Sequence, residues 1–264
     1  MSVPKLSTQT VLVIGGTSGI GLAVASEALS QSASHVTIAG SNPSRLSNAL
    51  ATLRTAHPLA AAANRITGYV CDLSQPSVLE ANLKALLDAT TASNGTGKID
   101  HVVNTAGDAL GLTPLADLTV ESIQAAGVVR FLAPLILAKL LPAYIAAGPT
   151  SSLTLTGGVN AARPSPGWTV PAAYGNALLG IARGVAVDLK PLRVNVVAPG
   201  AVETPLWNSL PEEGREDVKR RFAERTTVGR LGRPEDVAEA YLYLMKDYFV
   251  TGTLIASDGG TLLV

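Results

Sequence analysis

The chain is poor in residues that staple, stack or carry charge. It holds a single cysteine, Cys71, which excludes an internal disulfide framework and a multi-cysteine metal site, and no metal is expected. Cys71 stands in a strand-like apolar run and reads as a buried structural thiol. Aromatics make up only 4% of the sequence, so each of its two tryptophans calls for a reason. Charged residues are 15%, with 20 basic against 20 acidic, and a net charge of zero gives no support for nucleic-acid or anionic-membrane partners. The first residues, MSVPKLSTQT, lack the apolar core of a signal peptide, and no apolar run is read as long enough to span a membrane. A cytoplasmic setting is therefore expected. What is present is apolar: 47% of 264 residues, enough for one large α/β domain over residues 1–264.

The most informative stretch is a glycine cluster, Gly15-Gly16-Thr17-Ser18-Gly19-Ile20-Gly21, placed directly after the apolar run Val11-Leu12-Val13-Ile14. A strand, a tight glycine turn and a helix in that order build a phosphate cradle. Glycine lets the backbone turn and approach a pyrophosphate, and the helix N-terminus adds partial positive charge. Strand candidates follow at 10–15, 35–40, 66–71, 99–104, 151–156, 192–198 and 253–256. Helical stretches lie near 19–32, 43–56, 76–92, 119–147, 172–189 and 234–246. This alternation predicts a Rossmann-type, doubly wound, mostly parallel seven-stranded sheet with helices on both faces. Residues 199–232 break the rhythm and read as a mobile substrate-side loop with a short helix.

Further motifs sit in order along the chain. Asp72-Leu73 follows the third strand and Asn104-Thr105-Ala106-Gly107 the fourth. Pro199-Gly200, then Val202 and Thr204, follow the sixth; Gly232-Arg233-Pro234 and Asp258-Gly259-Gly260 come later. Together with residues 15–21 they resemble the short-chain dehydrogenase/reductase family over nearly the whole chain. The resemblance implies an enzyme that binds a nicotinamide dinucleotide through Gly15, Thr17, Ser18, Gly19, Ile20, Gly21, Asp72, Leu73, Asn104, Ala106, Gly107, Pro199, Gly200, Val202 and Thr204. It also implies a homo-oligomer, commonly a tetramer, meeting along the 119–147 helix. After the second strand the chain reads Ser41-Asn42-Pro43-Ser44-Arg45, with no carboxylate to repel a 2′-phosphate. Ser41 and Asn42 can donate hydrogen bonds and Arg45 adds charge, which points to NADP(H).

The family's acid/base set of Asn, Ser, Tyr and Lys has no counterpart here. Tyr174 looks like the tyrosine, but the lysine position one helical turn on is then Leu178. The family's helix carries Gly, Arg and an acidic residue at fixed distances after its tyrosine. Gly180, Arg183 and Asp188 each count back to Pro171. The lysine position is then Gly175, the serine position Gly158 and the asparagine position Arg130. Tyr174 is left with packing its helix.

Without an acid, reduction of a ketone lacks the proton its alkoxide needs. An iminium ion accepts hydride and becomes a neutral amine without one. The sequence is similar in this respect to a branch of fungal reductase/Diels–Alderases of the malbrancheamide and paraherquamide pathways. That branch reduces an oxidised piperazine of a prenylated indole alkaloid and guides an intramolecular [4+2] cycloaddition to a bicyclo[2.2.2]diazaoctane. The resemblance rests on Arg130 and on Arg163-Pro164-Ser165-Pro166-Gly167-Trp168, with Ser165 where the branch carries Asp. Arg130, Trp168 and Ser165 are accordingly the expected substrate-side residues, with Leu206, Trp207 and Leu210 as candidates for an apolar wall. Two other readings stay open: a plain imine or ketone reductase with a relocated acid such as Tyr174, and an NADP(H)-binding sensor without turnover.

Overall fold

A computed structural model describes residues 4–108, 112–209 and 212–264. Seven strands form one sheet: β1 (Thr10–Ile14), β2 (His35–Gly40), β3 (Ile66–Val70), β4 (His101–Asn104), β5 (Ser152–Thr156), β6 (Arg193–Pro199) and β7 (Leu254–Ser257), in the order β3-β2-β1-β4-β5-β6-β7. All pairs are parallel. The order reverses between β1 and β4, where open parallel sheets leave a crevice at their carboxyl ends.

The helices are α1 (Gly19–Ser30), α2 (Pro43–Ala56), α3 (Pro58–Ala62), α4 (Leu79–Ser93), α5 (Val120–Gly127), α6 (Ala133–Leu140), α7 (Thr169–Asp188), α8 (Arg215–Glu224) and α9 (Pro234–Lys246). Side chains alternate across each strand, so β1 feeds both faces. Leu12 and Ile14 join α4, α6 and α7 through Leu83, Leu137 and Leu178. Val11 and Val13 join α1, α2 and α9 through Val24, Leu46 and Leu242.

The expected 119–147 helix is broken. Thr119 starts α5 with a reciprocal cap: its Oγ accepts from the Ser122 amide, and Ser122 Oγ accepts from the Thr119 amide. A π-helical turn, Val128–Leu132, then separates α5 from α6, with the Ala133 amide reaching back to the Val128 carbonyl. Pro134 explains the break. It has no amide hydrogen for the Arg130 carbonyl one turn earlier, and its ring crowds that carbonyl. π turns of this kind widen a helix locally and are frequent at functional sites.

By length and composition two helical stretches, Val120–Ala143 and Thr169–Asp188, are long and apolar enough to cross a membrane, against the expectation of no such run. Both are sheet-covering here, with Leu137 and Ala138 of α6 and Leu178, Ile181 and Ala182 of α7 in the core.

Candidate active site

The expected cofactor residues gather at the carboxyl ends of β1, β2, β3, β4 and β6. Gly15 turns with φ +87°, and a β-carbon on it would lie 2.6 Å from the Ala106 amide nitrogen. One on Gly21 would lie 2.4 Å from the Gly15 carbonyl oxygen. The glycine loop is thus pressed between α1 and the strand end carrying Asn104. Gly19, at φ +50°, faces Thr204, and Thr17 lies against Gly40 at the end of β2. Ser18 precedes α1 without a side-chain cap, and no acidic residue lies in the first turn. The first amides of α1, next to Gly19, Ile20 and Gly21, are therefore open to a phosphate.

Asn104 is buried; its Oδ1 accepts from the Ala106 amide at 3.2 Å, and its carbonyl accepts from Thr156 Oγ1 at 2.8 Å. This holds the 104–107 turn, Gly107 included, below the crevice. Asp72 Oδ1 accepts from the Ser74 amide beside the buried Leu73. Pro199 ends β6; Gly200 passes so near the Asp258 backbone that a β-carbon would lie 2.8 Å from it, and Val202 bridges to Gly232. These close backbone approaches make a cradle that fits a dinucleotide. After β2, Ser41 and Arg45 are exposed. Asn42 departs from the expectation that it simply donates: its Oδ1 caps α2 by accepting from the Arg45 amide at 2.9 Å, leaving its amide group as the donor.

The four positions aligned with the missing acid/base set meet in space. Arg130, Gly158, Pro171 and Gly175 line one cavity of about 40 Å³, together with Asn104, Thr156 and Asn160. That volume admits about three water-sized groups, so it is the inner end of a site rather than the whole. Pro171 fits because it sits in the first turn of α7, where amides have no helical partner. Gly175 lies mid-helix, where glycine costs about 1 kcal/mol against alanine. It allows Ala161 to approach, at 3.0 Å from where its β-carbon would be. Among the described lining residues Arg130 is the only ionisable one, and guanidinium groups hold their protons.

Arg130 is anchored on the π turn. Its Nε donates to Asp108 Oδ1 at 2.9 Å, and Nη2 donates to the Asp108 carbonyl. The guanidinium lies against Gly107, 3.2 Å from where a β-carbon would stand. Asp108 was not singled out in the sequence, although it directly follows the 104–107 motif. Its carboxylate offsets the arginine charge at the crevice, so a cationic substrate is not simply repelled.

Tyr174 points away from this cavity. Its hydroxyl donates to the Ile123 carbonyl at 2.9 Å, its ring tilts against Phe131 at 5.7 Å, and it presses on Gly127. It fastens α7 to α5. Trp168 precedes α7, half-buried, and Ser165 is exposed, its carbonyl accepting from the Trp168 amide at 3.1 Å. Neither lines the inner cavity. Their loop is tied down by Arg163, which donates to the Thr261 carbonyl at 2.9 Å. Trp207 is not a free wall: its Nε1 donates to the Val202 carbonyl and its ring stands edge-on to Phe222 at 5.5 Å, holding α8 to the strand end. Leu210 and the side chain of Leu206 lie outside the described residues.

Comparison with known proteins agrees with this geometry. A family model for the SDR-like Rossmann domain matches residues 2–264. The short-chain dehydrogenase/reductase malC of Malbranchea aurantiaca is 45% identical over 258 residues, covering 98% of this chain and 96% of that one. The structure of MalC reductase/Diels-Alderase from that organism superposes with a TM-score of 0.93 over 100% of both chains, at 45% identity. An NADPH-bound short-chain oxidoreductase from Pseudomonas aeruginosa PAO1, with an atypical catalytic center, superposes at 0.85 over 97% of each chain with 25% identity. The chain belongs to the short-chain dehydrogenase/reductase family.

Proposed function

We propose that this oxidoreductase uses NADPH to reduce a cationic C=N⁺ intermediate of a prenylated indole alkaloid and then guides an intramolecular [4+2] cycloaddition. One observation carries the reading: the cavity at the acid/base positions holds Arg130, Gly158, Pro171 and Gly175, with no tyrosine, lysine, histidine or carboxylic acid among its described lining residues. NADPH held there would supply the hydride for the iminium carbon, and the π pair returning to nitrogen would leave a neutral amine that needs no proton. Similarity to MalC, a reductase/Diels-Alderase, supports the same pairing of activities. The absence of a carboxylate after β2, with Arg45 exposed there, supports NADPH over NADH.

Residues 15–21, 41–45, 72–73, 104–107 and 199–204 are proposed to hold the cofactor. Arg130 orients the substrate by hydrogen bonding a carbonyl, with Asp108 tempering its charge. Trp168, one helical turn before Pro171, offers an indole face for a cation or an indole. Ser165 takes a neutral, polar place beside it. Cyclisation needs reacting carbons held together rather than a proton relay, which an apolar wall provides. A homotetramer, as the family resemblance implies, is the proposed assembly.

The test compares NADPH oxidation with a cyclic iminium and a cyclic ketone of matched shape. The iminium is expected to turn over at least about 100-fold faster, the scale of a lost general acid. Comparable ketone turnover, or none with either substrate, would defeat the reading.

A further inference from the structure

Tyr241 of α9 is fully buried, in the cluster that holds Val13, Val24 and Leu242. A phenylalanine would fill the same space without the cost of burying a hydroxyl, so the hydroxyl calls for a partner. Tyr241 Oη lies 2.7 Å from Thr156 Oγ1, at the end of β5, and that oxygen lies 2.8 Å from the Asn104 carbonyl. A carbonyl only accepts, so the one hydrogen of Thr156 Oγ1 goes to Asn104, and Tyr241 donates its own to Thr156. Burial pushes the phenol's pKa up, which keeps that hydrogen in place. Hydrogen bonds linked in this way polarise and strengthen one another.

The relay ends on the turn that joins the cofactor cradle to the inner cavity. Past Asn104, the Thr105 amide and Oγ1 both donate to the Ile14 carbonyl, at 2.8 and 3.1 Å. Thr105 Oγ1 also fills the space beside Gly15, 2.7 Å from where a β-carbon would stand, and Gly107 meets the Arg130 guanidinium. Asn104 and Thr156 themselves line the cavity at the acid/base positions, where the reacting end of a nicotinamide cofactor belongs. The 2′-phosphate end belongs at β2, three strands from β5 and so about 14 Å away at the usual strand spacing. We propose that Tyr241 is a positioning residue for the nicotinamide end of the cofactor, acting through Thr156 on the 104–107 turn from the face of the sheet opposite α6 and α7. Its hydroxyl reaches neither substrate nor cofactor; it sets where the wall beneath them stands. The inference shares with the proposed function only the placement of NADP(H) and needs no iminium chemistry.

The test separates the two ends of the cofactor. Calorimetric titration compares NADP⁺ with adenosine 2′,5′-bisphosphate, which carries the 2′-phosphate end and lacks the nicotinamide. Tyr241→Phe keeps the ring in the core and removes only the donor. It is expected to weaken NADP⁺ about fivefold, the scale of one hydrogen bond, and to leave the bisphosphate within about twofold. Thr156→Val does the same, Thr156→Ser restores wild-type affinity, and the double variant Tyr241→Phe/Thr156→Val is no weaker than Thr156→Val alone, because both break one relay. Unchanged NADP⁺ affinity in Tyr241→Phe overturns the inference. So do equal losses for both ligands, which would mark the hydroxyl as merely structural, and losses that add in the double variant. Wild-type protein that binds no NADP⁺ would defeat the proposed function as well. Failure of iminium reduction with the selective loss intact would strike the proposed reaction alone.

Discussion

A β-carbon on Gly21 would meet the Gly15 carbonyl oxygen at 2.4 Å, and one on Gly158 would meet Asn160 Oδ1 at the same distance. The two contacts differ in kind. On the cofactor side, between β1 and β4, Gly15 and Gly21 press on backbone that cannot yield. Gly15 adds a φ of +87°, which L side chains rarely adopt. On the substrate side, between β4 and β7, Gly158 and Gly175 face side chains, and one of these can swing away. Glycine in the first region sets a shape that a ligand must match; in the second it makes room for other residues to take over a site. Gly15 and Gly21 therefore resist a side chain, while at Gly158 a neighbouring side chain can give way.

The sharpest break between the halves is a pair of alanine substitutions. Gly21→Ala is expected to lower NADPH affinity at least about 100-fold or to prevent folding, because the loop must move away from α1. Gly158→Ala leaves NADPH binding within about twofold. Fluorescence titration of both variants decides the matter. Equal losses would show that the two glycines are constrained alike.

Next in size is a property the halves share. His101 on β4 is buried at the amino end of the sheet, its ring nitrogens on Ser152 and Gln9 at 2.8 Å. Burial, and then the nearby Arg193 charge, push it down to about 3. A histidine held neutral in the fold but protonated when unfolded stabilises the protein fully above its unfolded value of 6.5 and loses that contribution as pH falls toward 3. The slope from this one group reaches about 1.4 kcal/mol per pH unit. His35, also shifted down by burial and then Arg65, acts in the same direction. Thermal melts from pH 7 to 4 should therefore fall steeply, with NADPH release and global unfolding coincident. His101→Gln should flatten the slope. Loss of the cofactor well before unfolding would show that the halves separate.

These regions were also unequally legible in the sequence. The cradle was readable because its residues are consecutive and its constraint is local: an apolar strand, a glycine turn, a helix start. The strand boundaries followed from apolar runs that both faces of the sheet demand. The substrate side depends on contacts across the chain. Arg130 was visible, but its partner Asp108 sits 22 residues away on the other side of α5. The break in the 119–147 helix had a local signal in Pro134 that apolar periodicity concealed. Asn160 takes the space of Gly158, a contact two residues away that no periodicity announces. Trp207 looked like a free aromatic until Val202 and Phe222 were brought beside it.

A smaller effect sharpens the cofactor half. Arg45 is exposed at the start of α2, whose cap already occupies Asn42 Oδ1. One charge-assisted contact to a 2′-phosphate at such a position is worth about tenfold in affinity. Arg45→Ala is expected to weaken NADPH by that factor and leave NADH unchanged. Equal effects on both cofactors would remove the basis for preferring NADPH.

The smallest expected effect bears most directly on the chemistry. Tyr174→Phe removes one hydroxyl, which donates to the Ile123 carbonyl and holds α7 against α5. Losing a neutral hydrogen bond of this kind costs about 1 kcal/mol, or about 2–4 °C of melting temperature in a chain of this size. Iminium reduction should be unchanged, because the hydroxyl lies outside the cavity that Arg130, Pro171 and Gly175 enclose. A large fall in turnover with the melting temperature intact would identify Tyr174 as a proton donor reached by motion of α7. The substrate half would then be a relocated acid/base site rather than an emptied one, and the contrast between its glycines and those of the cradle would lose its chemical meaning.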